Sequence, residues 1–126
     1  MSEQRAIISK EKVEKFLLLT PLLYSAYSEM TELSKKKPND PLNKFKVEKI
    51  NQILTPMKEL LKGEPIIEFL DVLDDESLPS NSDAVLILRY FREGANAFET
   101  KHKTIVEIND LPSFSTKIKE WNIETE

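Results

Sequence analysis

Cysteine is absent from the 126 residues. That excludes disulfides, thiolate nucleophiles and cysteine-based zinc sites. Glycine occurs only at Gly63 and Gly94, too sparsely for a glycine-rich phosphate loop or a fold dense in hairpins. Histidine occurs once, at His102, so a zinc centre would need carboxylates for nearly all its ligands. No apolar run reaches the roughly 20 residues of a membrane-spanning helix. The longest, FLLLTPLLYSAY at 16–27, is shorter and contains Pro21. Lys10, Lys12 and Lys15 precede it in the manner of a signal peptide. But Glu11 and Glu14 stand among them, and the apolar pattern runs on into a longer amphipathic segment. The expectation is a core helix of a cytoplasmic protein that makes no use of a membrane.

What is present is a globular mixture, 40% hydrophobic and 32% charged, in which Lys, Glu and Leu dominate. This reads as one helical domain. The net charge of −4 hides a segregation. In 35–49 the lysines at 35, 36, 37, 44, 46 and 49 face only Asp40 and Glu48. In 64–83 Glu64, Glu68, Asp71, Asp74, Asp75, Glu76 and Asp83 face no base. Two such stretches attract each other, within a molecule or between molecules, or serve outside partners.

Apolar positions then mark the elements. After a Ser9 N-cap, Val13, Phe16, Leu17, Leu23, Tyr24, Tyr27, Met30 and Leu33 recur mostly at steps of three and four. Leu18, Leu19, Leu22 and Ala26 widen the stripe, which predicts burial on most sides at mid-helix. Pro21 predicts a kink or break. Asp40 with Pro41 reads as the start of a second helix carrying Leu42, Phe45, Ile50, Ile53, Leu54, Met57, Leu60 and Leu61. Pro56 should bend it, and Gly63 suits its C-terminal cap. Pro65 opens a short third helix. Ser80, or Ser82, caps a fourth with Ala84, Ile87, Leu88, Phe91, Ala95 and Phe98. TIVEIND at 104–110 looks extended, but a lone strand has nothing to pair with. Leu111, Phe114, Ile118 and Trp121 complete the pattern as a short last helix. The predicted fold is an all-α, single-domain bundle of four to five helices, two of them long and proline-kinked. Its limits are a frayed N-terminus at 1–8, a helical domain at 9–121 and a polar tail at 122–126.

Catalytic constellations fail on spacing. Arg92 and His102 are ten residues apart, roughly 15 Å along a helix axis and about 80° around it. Helical nucleases with an Arg–x4–6–His motif bring the two together, and this chain does not. An EF-hand starting at Asp74 lacks the glycine at its sixth position and has Val85 where the bidentate glutamate belongs. EMTE places Glu29 and Glu32 on one helical face, and EFLD does so for Glu68 and Asp71. These four residues resemble the ExxE…ExxD arrangement of the all-helical nucleotide pyrophosphohydrolases. The resemblance implies Mg2+ held by oxygen ligands against a nucleotide's phosphates, although here a whole helix intervenes between the pairs.

The expectation is therefore a non-catalytic protein–protein interaction or regulatory module without a cofactor, its partner another protein or a second copy. Arg89, Arg92 and Asn96 form a polar stripe opposite the core of the fourth helix and are the candidate docking residues. Phe114 and Trp121 join them, from a last helix that needs a surface to cover. Gly94, beside Ala95 and Ala97, marks a close helix crossing. The alternatives are the Mg2+-dependent hydrolase on Glu29, Glu32, Glu68 and Asp71, and a weak nucleic-acid-binding accessory on the 35–49 lysines. The net acidic charge disfavours the latter.

Overall fold

Among the described residues three α-helices, one 3-10 helix and a two-stranded hairpin follow one another: α1 (Lys10–Lys36), α2 (Lys44–Leu60), the 3-10 helix (Pro65–Phe69), α3 (Asn81–His102), β1 (Lys103–Leu111) and β2 (Phe114–Trp121). The structure is a computed structural model. It describes residues 6–111 and 114–124, with side chains described at all of these except 106–111 and 114–117. Residues 1–5 of the expected frayed terminus, 125–126 of the expected tail and the Phe114 side chain lie outside that description.

The local signals place the helices well. Ser9 Oγ accepts from the Lys12 amide at 3.3 Å, and Ser80 Oγ accepts from the Asp83 amide at 3.1 Å, so each serine satisfies a first-turn donor. α2 begins later than Asp40–Pro41 predicts. Asn43 is its cap, accepting from the Lys46 amide at 2.8 Å. The Asp40–Leu42 backbone is engaged elsewhere: the Asp40 carbonyl accepts from the Asn81 amide, and the Leu42 amide donates to the Pro79 carbonyl. α1 and α2 both run unbroken through their prolines. Pro21 lies on the exposed side of α1, where water can solvate the carbonyl its missing N–H leaves free. The turn after α2 uses no left-handed glycine, so Gly63 is not a left-handed cap.

The fold is not the four-to-five-helix bundle. The difference lies after His102, where β1 and β2 pair antiparallel from Lys103↔Trp121 to Ile108↔Thr116, with an irregularity before Leu111↔Phe114. The steps of three and four at Leu111, Phe114, Ile118 and Trp121 look helical. However, Thr104, Ile105, Val106 and Ile108 on one side and Thr116 and Ile118 on the other are β-branched and suit a pleated ladder. The segment read as a helix is the partner that the lone strand needed. The hairpin end is tied back to the N-terminal segment. The Ile8 amide donates to the Asn122 carbonyl, and the Glu124 amide to the Ile8 carbonyl.

The core lies where α3 crosses α1, with α2 and the 3-10 segment closing it. Phe16, Leu23, Leu54, Met57, Leu88 and Phe91 are fully buried there. Phe16 stacks on Phe98 at 5.0 Å and meets Trp121 edge-on at 5.2 Å, which fastens the hairpin to the helices. The close approach expected at Gly94 is present, but its neighbour is not a crossing helix. A Cβ there would sit 3.0 Å from Leu61 Cδ1 and 3.2 Å from Ile66 Cγ2, at the turn and the 3-10 helix.

Two amides hold the long irregular stretches. Asn51 donates from Nδ2 to the Leu73 carbonyl and accepts at Oδ1 from the Leu73 amide, docking the acidic 71–76 segment along α2. Asn81, buried at the start of α3, donates to the Lys37 carbonyl at 2.8 Å. Its Oδ1 has no hydrogen-bond partner among the described residues.

Candidate functional site

The polar stripe of α3 sits beside α1. Tyr24 Oη donates to Asn96 Oδ1 at 2.7 Å, and Arg89 Nε donates to Tyr27 Oη at 3.3 Å. The Arg92 guanidinium lies 5.4 Å from the centre of the Tyr27 ring. Arg89, Arg92 and Asn96 are exposed, but each touches a tyrosine of the neighbouring helix as well as water. Their spacing of three and four residues put them on one face. That the face adjoins α1 was not legible from α3 alone.

These contacts split the two phenols. Partial burial, followed by the Glu99 charge, pushes Tyr24 above the ordinary tyrosine range. The hydrogen bond from Arg89, which favours the phenolate, pulls Tyr27 below it. In an alkaline titration followed by phenolate absorbance, Tyr27 is expected to ionise before Tyr24. Tyr27→Phe should remove the early phase and Arg89→Ala should delay it. Loss of the early phase in Tyr24→Phe instead would contradict the assignment.

Trp121 is half-buried against Phe16 and Phe98, with Lys103 Nζ 4.9 Å from the centre of its ring. It faces the protein's own core. Glu29, Glu32, Glu68 and Asp71 are all exposed. Glu32 pairs with Lys35 at 3.1 Å. Among the described residues no three acidic or histidine side chains stand close enough to hold a metal. His102 is turned toward the N-terminal segment, with Nδ1 3.0 Å from the Ala6 carbonyl oxygen.

The feature that sequence reasoning missed lies on the opposite assumption about α1. Its middle was expected to be buried on most sides, yet Leu18 is 66% exposed and Leu22 48%. Phe45, on the first turn of α2, is 66% exposed. With three α-helices in place of the expected four to five, nothing among the described residues lies over this side. The antiparallel pair α1 and α2 leaves a groove of about 320 Å3 here, floored by Ala26, Met30, Ile50 and Ile53 and walled by Leu22 and Phe45. Lys46 and Lys49 stand on its α2 edge and Glu29 on its α1 edge. Lys49 Nζ lies 5.6 Å from the centre of the Phe45 ring. The clue in the sequence was the width of the apolar stripe on α1, which exceeds what two neighbours can cover.

Among the described residues, no helix is long and apolar enough to cross a membrane. No protein-family model matches the chain, and neither a curated protein nor a solved structure is similar to it.

Proposed function

We propose that this protein is a non-catalytic interaction module whose docking face is the groove between α1 and α2. The carrying observation is the uncovered apolar strip of Leu18, Leu22 and Phe45 beside a groove with an apolar floor. Leaving such side chains in water forgoes about 25 cal/mol for each Å2 that a partner would cover. The strip runs along two antiparallel helices, a shape that fits a third helix lying in the groove with residues at i, i+3, i+4 and i+7 pointing down. Lys46 and Lys49 on one edge favour a partner helix with acidic flanks. The occupant is thus an amphipathic, acidic helix of another protein. The cytoplasmic location expected from the sequence belongs to the same proposal.

The test is a pair of helical peptides with the same leucine spacing, one flanked by glutamates and the other by lysines, titrated by fluorescence anisotropy. The acidic peptide should bind and the basic one should bind at least about tenfold more weakly, a difference of about 1.4 kcal/mol. Leu22→Glu and Phe45→Ser, both on the exposed surface, should each abolish binding without unfolding the protein. Equal binding of both peptides, binding that survives both substitutions, or no binding of either peptide would overturn the reading.

A further inference from the structure

The charges segregated along the sequence do not meet inside the molecule. Among the described residues, no ion pair joins the lysines of 35–49 to the acids of 64–83. Of those lysines only Lys35 is paired, with Glu32 at 3.1 Å, and of those acids only Glu64 is paired, with Lys101 at 3.8 Å. The two stretches therefore keep their opposite charges on the surface, where they act between molecules.

The acidic stretch borders an apolar ridge. Asp83, Leu86, Tyr90, Glu93 and Ala97 follow at steps of three and four, which puts them on one outer face of α3. Leu86 is 43% exposed, and Phe69, 58% exposed, meets the Tyr90 ring edge-on at 6.3 Å. The ridge has unlike flanks. Toward the 3-10 helix stand Phe69 and its neighbour Glu68, and no base occurs from 64 to 88. Toward α1 stand Arg89 and Arg92, both against Tyr27.

The groove between α1 and α2 is the complement of this ridge. Its apolar floor suits Leu86 and Tyr90. Lys46 and Lys49 on its α2 edge suit the Glu68 flank, and Glu29 on its α1 edge suits the Arg89 flank. The lengths agree as well. The α1 lining runs from Leu22 to Met30, roughly 12 Å of helix, and Leu86 to Glu93 spans roughly 11 Å. Within one copy the two cannot meet, because α3 packs its opposite face on the core and the ridge points outward.

We propose that a second copy of this chain docks its α3 ridge into the groove, head to tail, and occupies it until an outside acidic helix displaces it. This rests on the reading of the groove as a seat for an acidic amphipathic helix, since the outer face of α3 is such a face. The two surfaces differ, so every docked copy still offers one open groove or one open ridge. Association then builds chains or closed rings rather than a symmetric pair. The contact is smaller than a standard interface, which sets its dissociation constant at about 0.1–1 mM and leaves the groove accessible to a partner.

Analytical ultracentrifugation of the full chain tests it. The average mass should rise with concentration at low salt and rise less in about 1 M salt, where the screening length falls to about 3 Å. Leu86→Lys sets a lysine against Lys46 and Lys49 and should give a monomer, as should Leu22→Glu in the groove wall. Mixed in equal amounts, these two variants should combine into a 1:1 pair and no further, because each keeps the surface that the other lacks. Glu93→Lys, at an exposed position on the same ridge, should weaken association at least about tenfold without touching the core. The glutamate-flanked peptide should dissociate the wild-type assembly and bind Leu86→Lys as well as it binds the wild type. A wild type that stays monomeric while the peptide binds would overturn this inference alone, whereas a peptide that does not bind would overturn the docking reading with it. Association undiminished in Leu86→Lys or Glu93→Lys, or two folded variants that do not combine, would also overturn it.

Discussion

Phe16→Ala is expected to destabilise the protein by about 3–5 kcal/mol, the range for deleting a fully buried aromatic side chain. Phe16 is 1% exposed and is the only described ring that contacts both Phe98 of α3 and Trp121 of β2. Removing it leaves a cavity where three elements meet, and none of them can close it alone. The ring contacts add about 0.5–1.5 kcal/mol beyond the area lost. The second readout is specific to this geometry. Trp121 is the only tryptophan, so loosening of the hairpin should move its emission to the red under conditions where the helices remain folded. Denaturant unfolding followed by circular dichroism and by fluorescence measures both. A loss below about 1 kcal/mol with unchanged emission would mean that the hairpin does not depend on this cluster.

Gly94→Leu should be the next most damaging substitution, at about 1–3 kcal/mol or more from overpacking. The helix itself gains, since glycine in a helix interior costs roughly 1 kcal/mol against alanine. Packing decides the sign. The Cβ alone would stand 3.0 Å from Leu61 Cδ1, 3.2 Å from Ile66 Cγ2 and 3.6 Å from Leu70 Cδ1. Leu61 and Leu70 are fully buried and have little room to retreat. Alanine is expected to come out near neutral, with the propensity gain offset by the squeeze. Leucine must displace the 3-10 segment from α3. Leu61→Ala in the leucine background should restore part of the stability, because the two sites share one space and their effects cannot add. Equal stability of Gly94→Leu and the wild type in urea unfolding would remove the close approach as an explanation for the glycine.

The two substitutions separate what could be read early from what could not. Gly94 stood out as a helix breaker tolerated in mid-helix beside two alanines, a pattern that only close packing explains. The Phe16 cluster could not be read, because its third member lies on a strand mistaken for a helix. The candidate site divides in the same way. Arg89, Arg92 and Asn96 were correctly grouped on one face by their spacing, but their tyrosine partners lie more than 60 residues away in sequence. In the sequence Glu64 is only one acid of a run, yet its side chain is buried. Nothing in its neighbours' identities separates it from Glu68 or Asp71, which are exposed.

The sequence by itself determined the three long helices and two of their three N-caps, because these rest on interactions within one turn: a serine oxygen, a first-turn amide and an apolar step of three or four. It also determined the absence of thiol chemistry and the segregation of charge. The tertiary structure alone decided the pairing of β1 with β2, the late start of α2 and the exposure of Leu18, Leu22 and Phe45. The reason is common to all three. A strand is completed by a partner outside itself, and a helix start yields when a distant loop claims its backbone. An apolar stripe records how much surface can be buried, while the number and placement of neighbours fix how much is.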